Sequence, residues 1–273
     1  MGYRFLQKYD AISATHSTLD ASAKAKFERH CHSTHELLYI LQGGGKYIVE
    51  GVEYPLHSHT LLLMHPYEYH YVCPDASQPY ERTVIHFDKA LLPEFLQSHD
   101  LLCKHGGNYF PLQSIDHPIR ATYALMENLV ALSGDGMQRT PEAEALLHSL
   151  TTQIILLLTQ EKPAEASTQN SELVLQIIEY LNNHLCEDIS LEAIAHELFI
   201  SKYHLCRVFR AHTGASIFTY FTTKRMARAR QMLADGESAT TVATHLGFRD
   251  YSTFYRAYRK QFGESPTKRL TKK

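Results

Sequence analysis

Two sets of side chains in this sequence have the types and spacings that do chemistry. The first is His30-x-His32-x3-Glu36, with Gly43 close behind and His70 about one hairpin later. Histidines two apart on a strand point to one face, so His30 and His32 are expected to enter a single cavity. These side chains suit the polar lining of a pocket for an organic ligand, and another reading leaves the histidines a structural role alone. Lys46, Tyr69, Arg82 and His86 are further candidates for the lining, depending on which strand face turns inward. The second set is Lys202, Tyr203, Cys206, Arg207 and Arg210, answered further on by Ser252, Tyr255, Arg256 and Arg259. Polar and cationic side chains presented from a short helix are what the major groove of duplex DNA can be read with.

Other chemistries find no support. Gly-x-Ser-x-Gly, a P-loop and Gly-x-Gly-x-x-Gly are all missing, so no general-acid or nucleophile constellation stands out. Five scattered cysteines form no C-x-x-C pair, which indicates neither a disulfide framework nor a thiolate zinc site and points to a reducing cytoplasm. No apolar run of about 18 residues occurs, and the first ten residues lack the apolar stretch of an export signal. The expectation is a cytoplasmic protein with no membrane partner.

Charge divides the chain. The net of -2 conceals 15 Lys+Arg against 10 Asp+Glu from Glu172 onward, a net of +5, while residues 1–171 carry 12 against 19, a net of -7. A basic module tethered to an acidic one implies a polyanionic partner for the C-terminal part. Of the 18 histidines, 13 fall in the first 171 residues.

The hydrophobic pattern supplies the elements that must hold these residues. Residues 37–41, 46–50, 61–64, 69–72 and 82–87 read as short strands, with Gly43-Gly44-Gly45 expected as the turn of a hairpin joining the first two. Many short strands imply a small sandwich or barrel. From His117 the period turns helical, with Ala121, Leu125, Leu129 and Leu132 near one face. A second helix after Pro141 carries Leu146, Leu147, Leu150, Ile154, Ile155, Leu157 and Leu158. That stripe is wider than a barrel would cover, so a partner subunit is expected on it. The polar stretch 161–170 reads as a linker with a reach of roughly 15–20 Å.

The last hundred residues contain one design twice. After an amphipathic helix through Leu173, Ile177 and Leu181, Ser190 is a good N-cap for 191–197. Leu198-Phe199-Ile200 makes a tight turn, Ser201 caps a helix to His212, and Gly214 stops it. Ile194-Ala195, Leu198, Ile200 and Tyr203 recur as Val242-Ala243, Leu246, Phe248 and Tyr251 at an offset of 48. One residue is then inserted. Leu205, Arg207, Phe209, Arg210, Gly214 and Ser216 recur as Phe254, Arg256, Tyr258, Arg259, Gly263 and Ser265 at an offset of 49. Residues 216–234 form a helix of roughly 28 Å between the copies, close to the 34 Å or so that separates successive major-groove entries.

These residues carry two resemblances. His30-x-His32-x3-Glu36-x6-Gly43 with His70 resembles the motifs of the cupin superfamily, which implies a β-barrel and, by the metal-binding cupins, a divalent ion on His30, His32, Glu36 and His70. Where cupins usually turn on Pro-Gly, this chain has His57-Ser58-His59. Ser201 to Arg210 with Thr213-Gly214, then Leu246-Gly247-Phe248, Tyr251 to Arg256 and Phe262-Gly263-Glu264-Ser265-Pro266, resemble the paired readers of AraC-type transcription regulators. That resemblance covers about 172–270. It implies base contacts by Tyr203, Cys206, Arg207, Ser252 and Arg256, and phosphate contacts by the rest of the basic set.

The sequence therefore predicts an α+β protein of two domains. Residues 1–162 form a cupin-like barrel with pairing helices, 163–171 a linker, and 172–273 an all-α domain of tandem helix-turn-helix units. The expected function is a ligand-responsive transcription regulator of carbohydrate genes, not an enzyme and requiring no cofactor. It would bind double-stranded operator DNA, a sugar-like effector at His30, His32, Glu36, Lys46, His70 and Arg82, a second copy of itself, and RNA polymerase if it activates. One alternative is a metal-dependent cupin enzyme fused to a DNA tether; another is an architectural DNA binder indifferent to metabolites.

Overall fold

A computed structural model describes residues 2–20, 27, 29–103, 108–164 and 172–267. Its contacts divide the chain into two compact units, Met1–Gln169 and Asn170–Lys273. The linker expected at 163–171 lies, from 165 onward, outside the described residues.

The first unit is built on β1 (Gly2–Lys8), β2 (Ile12–Leu19), β3 (His35–Gln42), β4 (Gly45–Val49), β5 (Val52–Leu56), β6 (Thr60–Met64), β7 (His70–Pro74), β8 (Tyr80–Phe87) and β9 (Asn108–Pro111). Six strands form a sheet in the order β1-β2-β8-β3-β6-β9, and β5-β4-β7 form a second, smaller one. Strands β3 and β6 are buried on both faces, which is why they read as continuous apolar runs rather than alternating ones. Leu38, Ile40, Leu62 and Met64 share a core with Tyr47, Val49, Leu56 and Val72 of the smaller sheet. Leu37, Tyr39, Leu61 and Leu63 face the other way, onto helices.

The triple glycine does not make a hairpin. Strand β3 pairs with β6 and β8, whereas β4 pairs with β5 and β7, so Gly43-Gly44-Gly45 carries the chain from one sheet to the other. At Gly45, φ is +123° and a Cβ would lie 2.2 Å from the Cys73 carbonyl oxygen, a crossing only glycine permits. The hairpin in this region joins β4 to β5 through Glu50 and Gly51, both at positive φ. Strands β1 and β2 lie outside the run of strands read from the sequence.

Helices α1 (Glu94–Gln97), α2 (Asp100–Cys103), α3 (Pro118–Ala124), α4 (Asn128–Leu132) and α5 (Pro141–Leu158) complete this unit. The single helix expected after His117 is interrupted by a 3-10 turn at Leu125–Glu127. Thr140 caps α5 by accepting from the Ala143 amide at 3.1 Å, with Pro141 in the first turn. Ala143, Leu147, Leu150, Ile154, Ile155 and Leu158 of α5 are buried in the barrel-side core, and Leu146 and Leu157 pack against it. The strands and shorter helices together thus cover the whole stripe read from the sequence, without the surplus its width suggested, and Leu156, outside that stripe, is exposed.

The second unit consists of α6 (Glu172–Asn183), α7 (Leu191–Glu197), α8 (Lys202–Thr213), α9 (Ile217–Ala234), α10 (Ala239–His245) and α11 (Tyr251–Phe262). Ser190, Ser201, Ser216, Ser238 and Asp250 each accept the backbone amide three residues on, satisfying groups the helix itself leaves unpaired. Among the described residues, no helix is long and apolar enough to cross a membrane.

Candidate functional site

Strand parity decides which candidate side chains meet in the barrel. Glu36 shares its face of β3 with Leu38 and Ile40, Arg82 and His86 share theirs with Tyr80 and Val84, and His70 shares its own with Val72. All of these face the core between the sheets. Lys46 does not. It lies on the outer face of β4, exposed and paired with Glu53 at 3.0 Å, because its neighbour Tyr47 takes the inward position. Tyr69, one residue out of phase with His70, also leaves the interior set.

His30 and His32 reach the cluster by a different route from the one expected. His30 forms an isolated bridge to His70, exchanging backbone bonds of 3.1 and 2.9 Å, and His32 lies in the loop before β3. His30, His32, Glu36 and His70 nevertheless place one ligand atom each within 4.8 Å of one another.

Glu36 is the hub. Its Oε2 lies 2.9 Å from His32 Nε2, 2.9 Å from His86 Nε2 and 3.6 Å from His70 Nε2, while the Tyr47 hydroxyl donates to Oε1 at 3.2 Å. Burial by itself would raise the Glu36 pKa. The charge of His70 and the contacts from His32, His70 and His86 outweigh burial and hold this carboxyl well below the usual range. Burial is the largest influence on His70 and would lower its pKa, but the charge and contact of Glu36, the Glu68 carbonyl bond and the Glu68 charge together outweigh it, so the net shift is upward.

Proton placement on two of these rings follows from backbone carbonyls, which only accept. His32 Nδ1 lies 2.9 Å from the Thr34 carbonyl and His70 Nδ1 lies 2.8 Å from that of Glu68, so both Nδ1 atoms donate. Neutral rings would then turn bare Nε2 lone pairs toward a carboxylate, acceptor against acceptor. Either the rings carry a second proton or a cation stands between them and Glu36. Backbone-anchored Nδ1 with a free Nε2 is how metal-binding histidines are oriented. His70 Nε2 is buried without a hydrogen-bond partner, so this donor set fits a divalent ion. Around it, Arg82 Nε and Tyr80 Oη are also buried without partners, and the Arg82 guanidinium lies over Phe27 at 4.5 Å.

The second unit presents its candidates on two matched helices. Both α8 and α11 have twelve residues, a side-chain N-cap and a glycine C-cap in the left-handed region, Gly214 at φ 78° and Gly263 at φ 72°. Superposing the caps Ser201 and Asp250 puts the inserted residue in the turn, at Arg249. Tyr203 therefore matches Ser252, not Tyr251, which corrects the pairing drawn from sequence. Cys206, Arg207 and Arg210 match Tyr255, Arg256 and Arg259. Leu205 and Phe209 of α8, and Phe254 and Tyr258 of α11, face the core. On the other side Lys202, Tyr203, Cys206, Arg207, Arg210, Ser252, Arg256 and Arg259 are exposed, and Tyr255 is half-buried. Tyr203 is 79% exposed, an uncommon position for a large ring in the absence of a partner. Lys202 pairs across the turn with Glu192.

Two residues missed in the sequence brace the arginines. His204 Nδ1 accepts from Arg207 at 3.4 Å, and Thr253 Oγ1 accepts from Arg256 at 3.4 Å. They occupy equivalent places three residues before each arginine. The offset of 49 relates the two positions, but histidine and threonine differ in type, so repetition alone does not single them out.

Comparison with known proteins agrees with this division. Residues 19–151 match the family model of an AraC-like ligand binding domain and residues 194–271 that of a helix-turn-helix domain. The chain is similar to the HTH-type transcriptional activator RhaS of Salmonella typhimurium, at 27% identity over 260 residues, covering 89% of this chain and 87% of that one. Among solved structures it is similar to ToxT of Vibrio cholerae, at 13% identity and TM-score 0.39 over 94% of this chain and 95% of that one. It is also similar to the C-terminal domain of AraT, a response regulator from Geobacillus stearothermophilus, at 27% identity and TM-score 0.35 over 36% and 84%. A sensing barrel matched in one half and a doubled helix-turn-helix matched in the other leave one conclusion: the chain belongs to the AraC-type family of ligand-responsive transcription regulators.

Proposed function

We propose that this regulator grips operator DNA with α8 and α11 in successive major grooves. In each groove an arginine, Arg207 or Arg256, reads a base edge, flanked by Tyr203, Cys206, Ser252 and Tyr255. Lys202, Arg210 and Arg259 hold phosphates. The cap-for-cap equivalence of the two helices, with exposed arginines at the same turn, is the observation that carries this reading. Replacing Arg207 by alanine is expected to cost about 1–3 kcal/mol of discrimination at one position of the operator if it grips a guanine. Operator binding by the Arg207→Ala protein with unaltered sequence preference would reject it.

The effector on this reading is a small, hydroxyl-rich, sugar-like molecule held at Glu36, His30, His32, His70 and Arg82. An ionised acceptor beside several imidazoles and an unpartnered guanidinium nitrogen can satisfy vicinal hydroxyls from both sides. We read the barrel as a sensor rather than an enzyme because its match is to a ligand binding domain. A ligand changes the DNA-binding state only through different affinity for two arrangements of the protein. The assembly is a homodimer formed through the helical face that includes Leu156, working in the cytoplasm. RhaS is named an activator, which supports an activating role with contact to RNA polymerase for this chain too. Titration calorimetry with a panel of sugars tests the effector: Glu36→Gln is expected to abolish the heat of the binding sugar, and retained affinity would exclude this pocket.

The acceptor-to-acceptor geometry of His32 and His70 against Glu36 favours a second reading, a divalent ion on His30, His32, Glu36 and His70. Such an ion would supply a fixed positive charge between the rings and the carboxylate. Metal analysis of the purified protein decides: about one equivalent of metal in the wild type and none in the His32→Ala and His70→Ala proteins supports it. Metal-free wild type with unimpaired effector binding rejects it.

A further inference from the structure

Arg225 lies at the middle of α9, the helix between the two readers, and is 8% exposed. Few residues resist burial as arginine does, because its guanidinium stays charged and has five donors to satisfy. Its partners come from both readers. Nε donates to the Leu185 carbonyl at 2.7 Å and a terminal nitrogen donates to the Glu187 carbonyl, both in the connection between α6 and α7. The guanidinium carbon lies 4.3 Å from the centroid of Phe221 on α9 and 5.3 Å from that of Phe248, in the turn of the second reader. Beside it the backbone of that turn is pressed against the first reader, since a Cβ on Gly247 would lie 2.5 Å from the Cys186 carbonyl oxygen and 3.2 Å from Arg225.

The hydrophobic interior holds each reader to its own stretch of α9. Met226, Ala229 and Met232 of α9 pack with Val242, Leu246, Phe254 and Tyr258 of the second reader. Phe209 of the first reader packs edge-on against Tyr220, nearer the start of α9, at 5.3 Å. Arg225 sits where these two packings meet and ties the entrance of one reader to the turn of the other with directional bonds. Apolar contacts tolerate sliding; a guanidinium held by two carbonyls and two rings does not.

We propose that Arg225 is the positioning residue that sets the distance and angle between α8 and α11, and so determines the operator spacing this protein accepts. One base pair more or less between the two contacts moves the second by about 3.4 Å along the duplex and about a tenth of a turn around it. A rigid joint cannot follow that change. A loosened joint can, at the cost of the ordering it had supplied in advance. This inference rests on the reading that α8 and α11 both contact DNA.

The test uses the full chain and an operator duplex selected from random sequence. Affinity is measured at the selected spacing, with one base pair inserted or removed between the two contacts, and on a duplex that keeps a single contact. Wild type is expected to lose at least about tenfold on either change of spacing. Arg225→Met, similar in length but without donors, is expected to bind the single contact as wild type does while its penalty for altered spacing shrinks to about threefold or less. Arg225→Lys, which keeps the charge and one donor group, should lie between and serves if the methionine protein does not fold. Ratios between duplexes, measured on one preparation, are independent of the fraction of folded protein. Spacing discrimination unchanged in both variants, or an equal loss on every duplex, would overturn the role of Arg225. A wild type indifferent to spacing would overturn the two-helix reading and this inference with it.

Discussion

The two reader units have the same frame, yet fill one left-handed position of the turn with opposite residue types. In the second unit Gly247 takes the left-handed conformation at φ 67°; in the first, Phe199 is held in it at φ 53° with its ring 93% exposed. The surrounding bonds match: Ile200 donates to the Ala195 carbonyl at 2.9 Å and Phe248 to that of Ala243 at 3.0 Å. The same backbone is therefore made twice, once with the residue suited to it and once without. Glycine is required where the turn is pressed against Cys186 and Arg225; the first turn faces solvent and has room for a ring. The comparison teaches that close approach of a second segment, more than the turn itself, demands glycine.

The largest effect should come from breaking that asymmetry at the crowded turn. Gly247→Ala drives a methyl into the Cys186 carbonyl at a strained φ and is expected to cost about 3 kcal/mol of stability in chemical denaturation. A loss below about 0.5 kcal/mol would mean the two readers are not packed as described. The opposite exchange, Phe199→Gly, relieves left-handed strain and should stabilise by up to about 1 kcal/mol, less the entropy glycine adds to the unfolded chain. Marked destabilisation would show that the exposed ring is held by contacts in the folded protein.

The smallest effect sharpens the comparison of caps. Asp250 accepts the Thr253 amide at 2.7 Å, and this bond, with that to the Thr253 hydroxyl, lowers its pKa. Ser201, which accepts the His204 amide at 3.2 Å, does not titrate in this range. A depressed carboxyl contributes above its unfolded pKa of about 3.9 and is lost as pH falls through the lower folded value. Hydrogen exchange corrected for intrinsic rate should therefore show the Thr253 amide losing protection below pH 4 or so while His204 keeps it. Parallel loss at both would remove the distinction between the caps.

Much of this arrangement was legible in the sequence, for reasons that differ between the halves. The readers were legible because apolar periodicity, serine caps and stop glycines are local signals, and repetition confirmed each by the other. The register after the turn was misread because Tyr251 happens to repeat the residue type of Tyr203; only the caps reveal Arg249 as the insertion. In the barrel, the apolar runs that become β3, β4, β6, β7 and β8 were readable, whereas β1, β2, β5 and β9 were not, and neither was the pairing. Gly43-Gly44-Gly45 has the grammar of a hairpin, and nothing local tells that β4 leaves for another sheet. Lys46 was placed in the pocket for the same reason, since strand phase fixes inward and outward only once Tyr47 is known to reach Glu36. Arg225 gave no signal at all, as its partners are backbone carbonyls 38 and 40 residues away.

The account stands on twin helices dividing one operator between them. The direct measurement is affinity for every single-base variant of the selected operator, made with the wild type, Arg207→Ala and Arg256→Ala proteins. The account predicts two blocks of preferred bases about one helical turn apart, one flattened by the Arg207 change and the other by the Arg256 change. Both variants weakening all duplexes alike, with both blocks intact, would contradict it.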